Sequence, residues 1–196
     1  MGIIAAITVP SLIAKYHEDQ LKAQLKKSYS TLSNALNSAI SDFGYIPNCW
    51  YYYKSGVSKT KNNECDILIP AFLTKMSVIK YCENKAMDNG CLPIYKEYST
   101  DTSGCTSMFS RTQLNGNAPA WVLGNGMIFF SPYPINSNNY VFYFDMNGFQ
   151  GPNTPGKDVF AILFAPTNQQ FNNLKITGNG CAPGRTLTEA LKEAYK

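Results

Sequence analysis

The apolar run from Ile3 to Ala14 (IIAAITVPSLIA), polar only at Thr8, Pro10 and Ser11, passes without any turn signal into an amphipathic stretch. There Leu21, Leu25, Tyr29, Leu32, Leu36, Ile40 and Phe43 recur at steps of three or four, which is one face of a continuous helix. Gly44 and Pro47 supply the stop signals, so the pattern predicts a helix of about 40 residues, far beyond the mean for globular domains. Its first third is apolar nearly all round and the remainder has one apolar face, so the two parts require different surroundings: the front inserts and the back packs. The run is shorter than the roughly 20 residues that span a bilayer. Nor does it read as a secretory signal, because no basic residue precedes it and no small-residue cleavage site ends it.

Pro10 argues against an ordinary core helix, since an interior proline costs about 3 kcal/mol. In an assembly, neighbouring helices can surround such a break. The order Gly2-Ile3-Ile4-Ala5-Ala6-Ile7-Thr8-Val9-Pro10-Ser11-Leu12 resembles the middle of the N-terminal segment of type IV pilins and type II secretion pseudopilins. The match is tight over about ten residues and looser along the long helix. The resemblance implies an anchor helix, an extracytoplasmic α+β head and no enzymatic activity. It also implies that a leader and most of the anchor lie upstream of what Met1 begins. Assembly is then expected through Ile3, Ile4, Ile7, Val9, Pro10, Leu12 and Ile13. The implied partners are like or related subunits and an inner-membrane assembly platform, with the missing anchor in the membrane of a bacterial cell envelope and the head in the periplasm or outside. For this chain itself the expectation is a soluble monomer. Lys15, Lys22, Lys26 and Lys27 follow the apolar run on the outer side, against the positive-inside rule; the competing charges would belong to the leader.

A length of 196 residues suits one domain plus an extended element, and 44% hydrophobic residues suffice for a sizeable core. Only 15% of residues are charged, and 13 Tyr with many Asn and Ser supply the polar surface instead. The net charge of +4 is spread along the chain, which makes nucleic acid an improbable partner. Six cysteines, Cys49, Cys65, Cys82, Cys91, Cys105 and Cys181, contain no C-x-x-C pair and face a single histidine, His17. Disulfides in an oxidising compartment fit this pattern better than zinc. Connectivity stays open, with Cys82 and Cys91 the first choice because they bracket the short polar loop holding Asp88-Asn89-Gly90.

The chain divides into the helix, 1–44, and a head, 45–196. Residues 45–119 are irregular and polar, with a short helix predicted around Pro70 to Lys80 on the face of Ile69, Phe72, Leu73, Met76 and Ile79. The Cys49-Trp50-Tyr51-Tyr52-Tyr53 cluster is read as packing against the helix or a neighbour. In 120–165 the period becomes that of strands: Ala120 to Leu123 and Met127 to Phe130 flank the hairpin signal Gly124-Asn125-Gly126, and Tyr140 to Asp145 and Asp158 to Ala165 follow. A roughly four-stranded antiparallel sheet after a long helix defines an α+β class. Residues 166–196 end in a helix that Thr186 and Glu189 would cap.

The densest motif is Asp145-Met146-Asn147-Gly148 through Asn153 to Asp158, between two predicted strands. Its side-chain oxygens suit a hard cation such as Ca²⁺, with Asp145, Asn147 and Asp158 as ligands, although it lacks the glutamate and spacing of an EF-hand. The competing reading is a metal-free loop shaped by Asx turns, Asn-Gly and Pro. Loops of major pseudopilins can hold calcium, and this element is similar to theirs. No G-x-S-x-G, H-E-x-x-H or P-loop occurs, and His17 beside Glu18 reads as a solvated or interhelical histidine rather than a base. Two further readings compete with the filament subunit. One is a minor pilin or competence-type pseudopilin whose head captures DNA or a surface ligand, and the other is a secreted disulfide-rich soluble protein.

Overall fold

The structure is a computed structural model that describes residues 3–47, 49, 64–96, 111–132, 141–164, 174–177 and 187–194, and within the first helix the side chains from Leu12 onward. Helix α1, Ile3–Phe43, runs 41 residues as one span that includes Pro10. It ends where the sequence places its stop: Gly44 takes φ +68°, and its N–H donates to the Ser41 carbonyl at 3.2 Å. The amphipathic stripe is the core face. Leu25, Leu32 and Leu36 are buried together with Ala35 and Ala39, while Leu21, Tyr29, Ile40 and Phe43 pack at its margins.

Helix α2, Cys65–Thr74, packs on α1, and the sheet follows as an antiparallel meander, β1 Val78–Cys82, β2 Ala120–Leu123, β3 Ile128–Phe130, β4 Val141–Asp145, β5 Val159–Phe164 and β6 Leu174–Thr177, in that spatial order. A one-turn helix α3, Arg111–Leu114, precedes β2, and α4, Leu187–Ala194, packs against α1 and β6. The α+β class stands, with six strands among the described residues where the sequence suggests about four. The hairpin at Gly124 to Gly126 forms as its residues require: Gly126 adopts φ +87°, and Leu123 and Met127 close the turn at 2.9 Å.

Residues 75–80 correct the sequence reading. The helix begins five residues earlier than Pro70, stops at Thr74, and Ile79 lies 71% exposed on β1 instead of on a helical face. β-branched Val78 and Ile79 complete a strand whose partner, β2, is remote in sequence. Pro70 is the sixth of the ten residues of α2, beyond the first turn, so the helix forgoes the bond its N–H would have made to the Asp66 carbonyl.

Both faces of the sheet are buried. On the helix side Trp121, Phe129, Phe142, Phe144, Phe160 and Ile162 meet Leu25, Leu32, Leu36 and α2, with Phe72 edge-on to Phe129 at 5.5 Å and Phe129 stacked on Phe142 at 4.9 Å. On the far side Val122, Ile128, Phe130, Tyr143, Val159 and Ala161 are covered by Ala86, Leu92, Tyr95, Leu114 and Ala118. Residues 83–96, polar and irregular in sequence, are therefore the second covering layer. The Cys82–Cys91 disulfide ties that layer to β1, as the sequence suggested, and Cys49–Cys65 ties the segment after α1 to the start of α2. Cys105 and Cys181 lie outside the described residues, as do Trp50 to Tyr53 and Thr186.

Candidate functional site

The loop joining β4 to β5 is built by its two aspartates. Asp145 ends β4 and its Oδ1 accepts the N–H groups of Asn147 at 3.2 Å and Gly148 at 2.8 Å, an Asx turn that needs the positive φ of Gly148, +62°. Asp158, just before β5, reaches back across the loop: Oδ2 accepts from Asn153 N and Oδ1 from Thr154 N, each at 2.6 Å. Between them the Asn147 carboxamide donates to the Gly151 carbonyl at 3.0 Å and Thr154 Oγ1 donates to the Pro152 carbonyl at 3.1 Å. With its amide oriented to satisfy the network, Asn153 donates to the carbonyls of Gln150 at 3.2 Å and Gly148 at 3.1 Å. The Gly151–Pro152 peptide is cis.

Asp145 and Asp158 are fully buried. Burial, and then the charge of Asp158, push the Asp145 carboxyl up from 3.8 to about 8, against the pull of the Asn147 and Gly148 N–H groups and the Tyr95 hydroxyl that faces it. Burial also raises Asp158, opposed by the N–H groups it accepts. Tyr95, in the covering layer, is raised well above 10 by burial and then by Asp145. Its place beside Asp145 was not legible in the sequence, because fifty residues separate them and only the fold of the covering layer joins them.

The structure thus brings Asp145, Asn147 and Asp158 into one loop. Their oxygens are mostly spent. Both of Asp158's and one of Asp145's accept main-chain N–H groups, which leaves Asp145 Oδ2 and Asn147 Oδ1 buried without a well-formed hydrogen bond. A Ca²⁺ ion takes six to eight oxygens. Among the described residues no three His, Cys, Asp or Glu side chains gather to hold a metal. The Asn153 amide nitrogen is the donor to the Gln150 and Gly148 carbonyls, with its oxygen turned the other way. The loop holds its shape through its own hydrogen bonds, and a hard cation there would be held by Asp145 Oδ2 and Asn147 Oδ1 together with main-chain carbonyls.

The outer wall of this loop faces α1 across a cleft of about 710 Å³, lined by Ala14, His17, Leu21 and Gln24 on the helix and by Asn147 and Gln150 on the loop. N-terminal to the cleft, α1 leaves the head. Leu12 is 70% exposed, Ile13 51% and Tyr16 61%, and the side chains of Ile3, Ile4, Ile7, Val9 and Pro10 lie outside the described residues. His17 is exposed, as a solvated helical histidine should be. Among the described residues no helix is long and apolar enough to cross a membrane.

A family model described as a family of unknown function, DUF6613, matches residues 11–196. The chain belongs to DUF6613. This match takes in the whole head of the DUF6613 chain and α1 from Ser11, the part of the helix that packs on the core or carries the exposed stretch beside it. No curated protein and no solved structure matches.

Proposed function

We propose that this DUF6613 protein is a structural subunit of a pilus-like or secretion-pseudopilus-like filament, assembling through the first part of α1 and presenting the head outside. The observation that carries the reading is the division of one 41-residue helix into two environments. From Leu25 onward its apolar face is completed by the head, whereas Leu12, Ile13 and Tyr16 stay exposed beside a run that is apolar in sequence. A helix face of that kind is completed by other helices or by lipid. A long helix packed on an antiparallel sheet, the arrangement expected of a pilin, and two disulfides, which form in oxidising compartments, support the same reading. It gives the protein a mechanical task and no catalysis, with the cell envelope as its location.

The test uses the protein expressed from its own complete gene in the native cell. Leu12→Asp and Ile13→Asp should abolish filaments seen by electron microscopy while leaving subunit abundance unchanged. Filaments that persist with both charges in place would refute the proposal.

A further inference from the structure

The lysines of α1 have no task in filament assembly, and their placement carries a conclusion that does not rest on it. All four, Lys15, Lys22, Lys26 and Lys27, fall within 15–27, whereas 28–43 holds no Lys or Arg and its exposed outer residues, among them Ser30, Asn34 and Asn37, are neutral. Lys22 is paired with Glu18. Lys15, Lys26 and Lys27 are exposed and form no ion pair among the described residues. At about 3.6 residues per turn, Leu12, Tyr16 and Ala23 share a stripe that points away from the core face of Leu25, Leu32 and Leu36. Leu12 and Tyr16 are 70% and 61% exposed, and Ala23 is exposed as well. Lys15, Lys22 and Lys26, at spacings of seven and four, line one side of that stripe and Lys27 lines the other. Of the two acids nearby, Glu18 is spent on Lys22, so only Asp19 opposes the three free lysines.

We propose that the outer face of α1 from Leu12 to Lys27 docks on the surface of a bilayer rich in anionic phospholipid, with the helix lying along the membrane and the head stacked on its far side. Charge complementarity selects this occupant. An apolar stripe flanked on both sides by lysines is the pattern of a helix that lies in the interfacial plane. Leu12 and Tyr16 reach the boundary between headgroups and acyl chains, a depth that suits the apolar ring and polar hydroxyl of tyrosine. The lysine stems follow the apolar surface and place their ammonium groups among the phosphates. The axis rises about 18 Å from Lys15 to Lys27, more than the Debye length of about 8 Å in physiological salt. A helix standing on end would therefore engage Lys15 alone, and one lying flat engages all three. Duplex DNA would meet the same charges but would leave Leu12 and Tyr16 in water. The contact also differs from a spanning anchor, which would use the apolar run and not the face behind it.

The full chain is sedimented with vesicles of phosphatidylcholine alone and of phosphatidylcholine with about 30% phosphatidylglycerol, in about 0.05 M and about 0.5 M NaCl. The proposal expects binding to the anionic vesicles that falls steeply at the higher salt. The triple variant Lys15→Gln, Lys26→Gln, Lys27→Gln changes only exposed side chains, so it should melt as wild type does and bind these vesicles about a hundredfold more weakly. A control with the same loss of charge elsewhere, Lys85→Gln, Lys96→Gln, Lys192→Gln, also at exposed positions, should bind like wild type. An equal loss in the two triple variants would mean a response to net charge alone and would overturn the proposal. Equal binding of wild type to neutral and anionic vesicles would overturn it too, since the apolar run would then account for the whole attachment. Duplex DNA that strips the protein from the anionic vesicles at equal phosphate concentration would assign the lysines to nucleic acid and reject the membrane contact.

Discussion

A Cβ built on Gly148 would stand 2.2 Å from the carbonyl oxygen of Gly126, so the β4–β5 loop rests directly on the main chain of the β2–β3 hairpin. Gly148 also holds φ +62°, where an L side chain is strained. Gly148→Ala is therefore expected to cost about 2–4 kcal/mol, because backbone on both sides must shift. Gly126→Ala is the comparison: it shares the positive φ, +87°, but a Cβ there meets nothing within 4 Å, so only the conformational cost of about 1–2 kcal/mol applies. Urea unfolding of both variants checks the order, and an equal loss in the two would refute the contact.

Asp158 serves as the structural centre of the loop, accepting Asn153 N and Thr154 N at 2.6 Å. Asp158→Ala leaves two main-chain donors to find other partners and is expected to lose about 2–4 kcal/mol. Asp158→Asn keeps one acceptor oxygen and should lose less. If the two aspartates instead gripped a calcium ion, the deficit of the alanine variant would appear only with calcium present, which melting with and without EDTA resolves.

The two halves of α1 should respond oppositely to substitution. Leu32 is fully buried between the sheet and α2, so Leu32→Ala is expected to cost about 2–5 kcal/mol. Leu12 is 70% exposed, and Leu12→Ala should leave the stability of the isolated chain within about 0.5 kcal/mol. Any large loss at Leu12 would mean that the head, and not an assembly partner, completes that part of the helix.

How much of this was legible in the sequence follows from how local each signal is. The helix could be read from Leu21 to Phe43 because its period is continuous, and its end could be read because Gly44 is the residue a left-handed cap requires. The Gly124 to Gly126 hairpin and the Cys82–Cys91 pair are equally local. β1 was hidden because Val78 to Cys82 is nearly all exposed and gains strand character only from pairing with Ala120 to Leu123 forty residues later. At the loop, the sequence located the residues but not the hydrogen bonds that join them. That both Asp158 oxygens accept main-chain N–H groups, and that the Asn153 amide nitrogen donates to two carbonyls, follows only from the fold of the loop. Tyr95 could not have been joined to Asp145 at all without the covering layer.

The pH dependence of stability carries the sign of Asp145. Its folded value of about 8 lies above the ordinary 3.8 expected of the unfolded chain, so between those values the native state binds a proton that the unfolded state has released. The stabilisation is complete below the unfolded value and is lost as pH rises towards the folded one. The slope contributed by this single group reaches about 1.4 kcal/mol per pH unit. Asp158, also raised by burial, acts in the same direction. Equilibrium unfolding followed from pH 5 to pH 8 in EDTA should therefore show stability falling as the solution becomes less acid, the reverse of a protein held by ionised carboxylates. Asp158→Ala should flatten part of the dependence, because the Asp158 charge is the second cause of the Asp145 displacement. A stability that climbs across this window would mean that Asp145 is ionised in the native state.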